Sequence, residues 1–237
     1  MKKNCSTTTN DPQFLLLGDS HAGAIGRAAK ETGVQFVGGP MGAGREFTAP
    51  FVDWDAEKLT FRSSYADEMY QSFLEELNAS SLLEVKLPLL CTFGFAPHFY
   101  ATSENWEIYR EADHTLSPSF LESQLFHDLI CVMAQGALGF YRSLIEKGVE
   151  ITAVLPPQKI PETADPNVFY AAQEVLIVEA NCMGLKILDV RQGTVGKNGL
   201  QLDDYSQEND PIHGNVAFGQ VLLDAFTSQR TTDHVTA

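Results

Sequence analysis

A serine near the start of the chain and an aspartate–histidine pair near its end have the residue types of nucleophilic catalysis. Ser20 follows a short apolar run, and Asp210 and His213 are separated by two residues, so one turn can direct both side chains to the same site. Histidine, with a free pKa near ~6.5, is a suitable general base for a serine hydroxyl, and an aspartate can fix its tautomer and stabilise the imidazolium. The combination predicts Ser20 as nucleophile, His213 as base and Asp210 as the orienting acid.

The residues around Ser20 favour a strand, a turn and then a helix. Residues 13–17 form a continuous apolar run typical of a strand buried on both faces, and residues 20–32 favour a helix that Gly33 ends. A serine at this junction lies at the carboxyl end of a parallel sheet, where ligands bind, and at a helix N-terminus that favours negative charge. Taken alone, Ser20 is better explained as a helix cap, and Asp210 and His213 can be a turn residue and an exposed histidine at a helix start, so the interpretation depends on the combination.

Strands and helices alternate along the rest of the chain. Strands are predicted at residues 13–17, 34–37, 87–93, 150–155 and 185–190. Helices are predicted at residues 20–32, 65–80, about 119–147, about 167–183 and about 213–228. The pattern predicts a parallel sheet with helices on both faces, in a single domain over residues 13–230. Residues 1–12 are predicted to be a disordered polar N-terminus and residues 231–237 a flexible tail.

Composition narrows the range of partners. The 237 residues include 44% hydrophobic ones, enough for a full core, and carry a formal net charge of −15. This acidity disfavours nucleic acid and anionic membranes as partners. No run approaches the ~18 apolar residues of a membrane helix, and no apolar stretch has signal-peptide length, so we expect a cytoplasmic protein. None of the four cysteines forms a CxxC pair, and no metal site is predicted.

Two conserved-looking blocks of sequence resemble those of SGNH/GDSL hydrolases. Residues 15–20, Leu-Leu-Leu-Gly-Asp-Ser, look like the first block of that family, and residues 210–219, which begin Asp-Pro-Ile-His, look like its last block. The resemblance implies a three-layer, flavodoxin-like α/β fold with a five-stranded parallel sheet in the order 2-1-3-4-5. It also implies ester or acyl-transfer chemistry through an acyl-enzyme, without metal or cofactor.

The resemblance also implies an oxyanion hole, and here the chain departs from the family pattern. The glycine-rich residues 38–44 are similar to the family's second block. Gly39, Gly42 and Gly44 compete for the role of donor, and Gly39, which is closest to the strand end, is expected to act with the N–H of Ser20. In the third block Ala96 takes the place of the family's asparagine. The nearest polar substitutes are His98 and Asn105.

Several residues are candidates for contacting substrate. His21 replaces the leucine that usually follows the family's serine, and Gly-Asp-Ser-His before alanine is similar to SGNH domains of polysaccharide O-acetyltransferases. The long connections 45–65 and 94–118 have lengths typical of lids or binding loops, although they could equally be decoration of the domain. The second connection is rich in aromatic residues, of which Phe95, His98 and Trp106 are expected, with His21, to bind substrate.

Three functions remain open at this stage. The first is hydrolysis of a small acyl ester, such as an O-acetyl group on a carbohydrate. The second is an O-acyltransferase that uses the same three residues and a sugar hydroxyl as acceptor. The third is a catalytically silent binding module, which the absent asparagine favours and the intact Ser20, Asp210 and His213 disfavour.

Overall fold

Five strands form a parallel sheet in the computed structural model, which describes residues 11–235. In chain order, the strands of the protein are β1 (Leu15–Gly18), β2 (Val37–Pro40), β3 (Val52–Asp55), β4 (Lys58–Phe61), β5 (Leu89–Cys91), β6 (Ile151–Val154) and β7 (Lys186–Leu188). The parallel sheet has the order β2-β1-β5-β6-β7, and β3 and β4 pair separately as an antiparallel hairpin. With the hairpin set aside, this is the predicted order 2-1-3-4-5, so the predicted fold is confirmed.

Helices cover both faces of the sheet. They are α1 (Ala22–Thr32), α2 (Ser64–Glu76), α3 (Pro118–Leu121), α4 (Gln124–Met133), α5 (Gln135–Glu146), α6 (Pro166–Cys182), α7 (Arg191–Thr194) and α8 (Val216–Val235). Leu16 packs toward α1 and α8 on one face, while Leu15 and Leu17 face the larger core that includes α2, α4, α5 and α6. Because successive strand residues point to opposite faces, a strand covered on both sides must be apolar throughout, as residues 15–17 are.

Two predicted elements are displaced or divided in the structure, and the β3–β4 hairpin is not among the predicted strands. The second strand begins at Val37, where the prediction of residues 34–37 ended. The single helix predicted over residues 119–147 is divided into α3, α4 and α5. The N–H of Gly136, at the start of α5, donates to the carbonyl of Thr48 at 2.9 Å, and the backbone at Ala49 comes so close that a Cβ on Gly136 would collide with it. Helical periodicity cannot reveal such a contact with a distant segment.

The two long connections are packed against the domain. The first contains the β3–β4 hairpin, in which Trp54 Nε1 donates to Ser143 Oγ at 3.0 Å. In the second, the N–H of Ser103 donates to the carbonyl of Thr163 at 2.9 Å, and the N–H of Asp165 donates to the carbonyl of Ala101 at 2.7 Å. Both segments are therefore packed as part of the body of the domain.

The ends of the domain differ partly from the predicted boundaries. Helix α8 continues through residue 230 to Val235, so the tail predicted from residue 231 begins as helix. Most of the predicted disordered N-terminus, residues 1–10, lies outside the described residues. Within residues 11–235, every helix is too short or too polar to cross a bilayer.

Candidate active site

Ser20 lies in the tight turn between β1 and α1. The carbonyl of Asp19 accepts the N–H of Ala22 at 3.0 Å, and the Asp19 side chain accepts the N–H of His21 at 3.0 Å and the hydroxyl of Thr92 at 2.9 Å. Gly18 is required because a Cβ there would collide with the Thr92 hydroxyl. These contacts fix the turn so that Ser20 stands at the carboxyl edge of the sheet.

A chain of two short hydrogen bonds joins Ser20 to Asp210 through His213. His213 Nε2 lies 2.7 Å from Ser20 Oγ, and His213 Nδ1 lies 2.7 Å from Asp210 Oδ2. With Nδ1 protonated toward the carboxylate, Nε2 is free to accept the serine proton. The structure thus brings together three residues of which the first and last, Ser20 and His213, are 193 positions apart in the sequence. Their arrangement is suited to activating a hydroxyl nucleophile.

Asp210 is held by its own turn. Its Oδ1 accepts the N–H groups of Ile212 at 2.9 Å and His213 at 2.8 Å, which leaves Oδ2 for the imidazole. Burial raises the pKa of Asp210, but these N–H donors and the His213 ring outweigh burial and lower the pKa to about 2. The carboxylate is therefore charged at neutral pH and can stabilise an imidazolium at His213.

The start of α8 fixes the position of His213. Asn215 caps the helix, since its Oδ1 accepts the N–H of Phe218 at 3.0 Å. Its amide donates to the carbonyl of Asp204 at 2.8 Å, and the carbonyl of His213 accepts the N–H of Gln207 at 3.0 Å. The loop that carries Asp210 is thereby tied to the helix that begins just after His213.

A polar cavity of about 570 Å³ opens beside Ser20. Its walls come from the start of α1 and from the loop before α8. They consist of Ser20, His21, Ala24, Arg27, Gln207, Glu208, Asn209, Asp210, His213 and Gly214. A second cavity, of about 660 Å³, shares residues 207–210 with the first and is also lined by Lys159 and Gln201. Both offer hydrogen-bonding groups to a polar ligand.

The expectation that Gly39 supplies an oxyanion donor is corrected. The N–H groups of Val37 and Met41, on either side of Gly39, donate to the carbonyls of Phe14, just before β1, and Gly18, the last residue of β1. The two-residue repeat of a parallel ladder therefore directs the N–H of Gly39 at β1 as well. Gly39 belongs to the strand, because β2 extends to Pro40. Its N–H is therefore committed to the sheet.

Gly44 is the better placed of the competing glycines. A Cβ on Gly44 would lie 3.1 Å from Asp19 Oδ2 and 2.7 Å from the ring of Phe99, so this glycine lies against the nucleophile turn. Among residues 11–235, the N–H groups of Ser20 and Gly44 have no hydrogen-bond acceptor. Both are thus available to a developing oxyanion.

A second polar cluster, the histidine pocket, consists of His21 and His98. The His21 ring centroid lies 5.0 Å from that of His213 and 6.1 Å from that of His98. His21 is 8% exposed and His98 is 9% exposed. Both ring nitrogens of His21 and Nε2 of His98 are buried and lack a hydrogen-bond partner within the described part of the chain.

Burial keeps both of these imidazoles neutral. It is the main cause that lowers the pKa of His21 to about 3, with the nearby His213 adding to the effect and Asp210 opposing it. Burial likewise lowers the pKa of His98 to about 3, assisted by His21, His213 and Arg45. Each ring therefore carries one N–H and one acceptor nitrogen at neutral pH.

Phe95 and Trp106, which were expected to bind substrate, lie in the core. Each is 1% exposed. Phe95 packs against Tyr141, and Trp106 packs against Phe126 while its Nε1 donates to the carbonyl of Tyr100 at 2.6 Å. The prediction for these two residues is wrong because an aromatic-rich segment can also be apolar packing, which the sequence pattern does not distinguish from a binding surface.

The sequence analysis overlooked the support beneath Ser20. Asp19 is almost fully buried, and burial raises its pKa to about 6, although hydrogen bonds from His21 and Thr92 oppose the rise. A usable signal was present, since Thr92 is the first polar residue after the buried strand β5, at the same sheet edge as Ser20.

One group of side chains away from these clusters could offer ligands to a metal. His127 and Cys131 on α4 and Glu179 on α6 present donor atoms that all lie within 4.8 Å of one another. The His127 ring lies 3.2 Å from a Glu179 oxygen, so the arrangement is also explained as a partly exposed contact between two polar side chains. None of the three residues belongs to the elements that carry Ser20 or His213.

Comparison with known proteins identifies similar solved structures. No family model and no curated protein matches the chain. A lipase/acylhydrolase from Enterococcus faecalis is 12% identical, with a TM-score of 0.42, over 92% of this chain and 95% of that one. A GDSL-like lipase from Bacteroides thetaiotaomicron is 13% identical, with a TM-score of 0.41, over 93% and 88%.

The psychrotrophic esterase EstA from Pseudoalteromonas is 11% identical, with a TM-score of 0.44, over 94% of this chain and 98% of that one. At such low identity the similarity concerns the fold alone.

Proposed function

We propose that this protein is a serine ester hydrolase that acts on small acyl esters through a covalent acyl-enzyme. The observation that carries the proposal is the chain of 2.7 Å contacts from Ser20 through His213 to Asp210. Nucleophile, base and orienting acid are then all within hydrogen-bond reach, which is the geometric requirement for this chemistry.

The reaction proceeds in two halves. As Ser20 Oγ attacks the ester carbonyl, its proton passes to His213 Nε2, and the carbonyl oxygen becomes an oxyanion. When the C–O bond to the alcohol breaks, His213 returns that proton to the leaving oxygen. Water then attacks the acyl-enzyme, with His213 again accepting and returning a proton, and releases the acid and free Ser20.

Asp210 and main-chain N–H groups assist the reaction without forming a covalent bond to the substrate. The ionised Asp210 keeps the His213 ring oriented and stabilises its positive charge in both halves. The free N–H groups of Ser20 and Gly44 are our candidates for the oxyanion donors. Such donors act where charge develops, and each contributes on the order of 10²–10³ in rate.

The polar cavity supports a small acyl group on a polar alcohol, such as an acetylated carbohydrate. Walls formed by Arg27, Glu208 and Asn209 offer hydrogen bonds to hydroxyl groups, whereas a long apolar chain would leave these polar groups without partners.

The test is turnover of a simple acetyl ester and of acetylated oligosaccharides by the wild-type protein and by Ser20→Ala. We expect Ser20-dependent release of acetate. Transfer of acetyl to an added sugar in place of release would identify an O-acyltransferase with the same three residues. Absence of any Ser20-dependent reaction on the series would reject the proposal in favour of a binding module.

A further inference from the structure

The third block of the resembled family lacks its usual donor in this chain, and one buried polar group lies close by. Ala96 stands where the asparagine would be, is 4% exposed and has no polar side-chain atom that could take over the role of the missing amide. Two residues further on, in the short helical turn Pro97–Phe99, His98 is also more than nine-tenths buried, and its Nε2 has no partner among the described residues.

A buried nitrogen without a partner carries a cost that a ligand can relieve. An unsatisfied buried donor or acceptor typically costs about 1–3 kcal/mol, and such groups in a native structure need an explanation. The other polar candidate in this segment has no such vacancy, because Asn105 is exposed and its amide donates to the carbonyl of Phe99.

The position of the turn that carries His98 fits a role at the oxyanion. Phe99 lies against Gly44, which itself lies against Asp19, so this turn is packed beside the nucleophile turn and the loop after β2. The turn belongs to the segment after β5, and the His98 ring lies 6.1 Å from the ring of His21, whereas His213 stands just before the start of α8. An oxyanion donor must come from a different direction than the base, and His98 meets that condition better than His21, whose ring lies 5.0 Å from the His213 ring.

We propose that His98 is a catalytic residue of the ester hydrolysis described above, donating an N–H from Nε2 to the oxyanion in place of the asparagine that Ala96 has replaced. The inference rests on the proposed function of Ser20. A neutral imidazole can donate to an oxyanion without placing a permanent positive charge beside the His213 imidazolium.

The test compares kcat and KM on a simple acetyl ester for four variants. His98→Phe and His98→Leu remove the donor while keeping an apolar shape, and His98→Gln keeps a side-chain N–H at similar reach. His114→Gln is the matched control, since the His114 side chain is 85% exposed. We expect the phenylalanine and leucine variants to lose about 10²–10³-fold in kcat with KM nearly unchanged. His98→Gln should retain more activity than either, and the control should match the wild type.

A graft gives a second readout that a structural role would not move. Ala96→Asn restores the family's amide, so it should raise kcat in the His98→Phe background and change it little in the wild type. Pro97 favours an extended backbone at residue 96, a constraint that the asparagine must satisfy. Thermal unfolding establishes that each variant is folded. If one of the two apolar variants, His98→Phe or His98→Leu, does not fold, the other still tests the proposal.

The inference is overturned if folded His98→Phe or His98→Leu keeps kcat within about threefold of the wild type, or if only KM changes. A wild-type protein without Ser20-dependent turnover would instead reject the proposed function itself, so the two failures are distinguishable.

Discussion

Two polar clusters lie side by side at the carboxyl edge of the sheet and differ in how their hydrogen bonds are used. In the cluster of Ser20, His213 and Asp210, each side chain has a partner at 2.7 Å. In the histidine pocket, three ring nitrogens of His21 and His98 are buried and have no hydrogen-bond partner among residues 11–235.

The difference separates preorganised groups from groups that await a ligand. A fully bonded cluster can be held in a reactive geometry before substrate arrives. Buried nitrogens without partners instead weaken the folded state until something binds them. In the proposed function the first cluster carries out the reaction, and we expect the substrate or its oxyanion to complete the second.

The largest effect is expected when the general base, His213, is removed from the first cluster. We expect His213→Ala to lower kcat for a simple acetyl ester by about 10⁴-fold or more, because Ser20 then has no proton acceptor. His114→Ala, at an exposed histidine, is the control. Retention of a tenth or more of wild-type kcat by His213→Ala would mean that the bonded cluster is not the reactive one.

A smaller loss is expected when Asp210 becomes an amide. In Asp210→Asn the side-chain oxygen can still accept the N–H groups of Ile212 and His213, so the turn is kept. The amide nitrogen would face His213 Nδ1 and favour the wrong tautomer, and we expect kcat to fall by about 10²–10⁴-fold. Asp204→Asn, an exposed aspartate in the preceding turn, should leave kcat unchanged. Equal activity of the two variants would remove Asp210 from the mechanism.

The histidine pocket should make stability sensitive to acid. The pKa values of His21 and His98 are lowered from 6.5 to about 3 in the folded protein, so the unfolded chain binds more protons between these values. Their contribution to stability is present above about pH 6.5 and is lost as pH falls toward 3, at up to about 1.4 kcal/mol per pH unit for each ring.

Asp19 opposes this trend. Its pKa is raised from 3.8 to about 6, so it gains stability on protonation as pH falls through that interval. The loss of stability from the two histidines exceeds the gain from the one aspartate, so the free energy of unfolding should decrease from neutral pH to about pH 5. Urea unfolding of wild type and His21→Leu at both pH values measures the effect, and the variant should show a shallower decrease. An equal slope in both proteins would mean that His21 is not held neutral.

How far the sequence predicts this molecule depends on whether the signal is local. The alternation of strands and helices follows from local apolar runs, whereas the sheet order is what the resemblance of residues 15–20 and 210–219 to SGNH/GDSL hydrolases implies. The break before α5 could not be predicted, because it depends on the contact of Gly136 with Thr48, which lies 88 positions earlier in the chain. Helical periodicity carries no information about such a distant contact.

The site shows the same limit. Ser20, Asp210 and His213 were proposed from residue type and spacing, and the structure has them in contact distance. Trp106 and Gly39 were misassigned because burial of a side chain and use of a backbone N–H are set by tertiary packing. His98 could be nominated by proximity to Ala96, but its buried and unpartnered Nε2 becomes visible only in three dimensions.

The central claim is that Ser20 is an activated nucleophile, and covalent labelling tests it most directly. Wild-type protein should react with a fluorophosphonate probe, and peptide mass analysis should place the adduct on Ser20, because His213 removes the serine proton as the phosphorus is attacked. Ser20→Ala should fold normally and remain unlabelled. An adduct on another residue, labelling that persists in Ser20→Ala, or no labelling of wild type under conditions that label a control esterase would contradict the account.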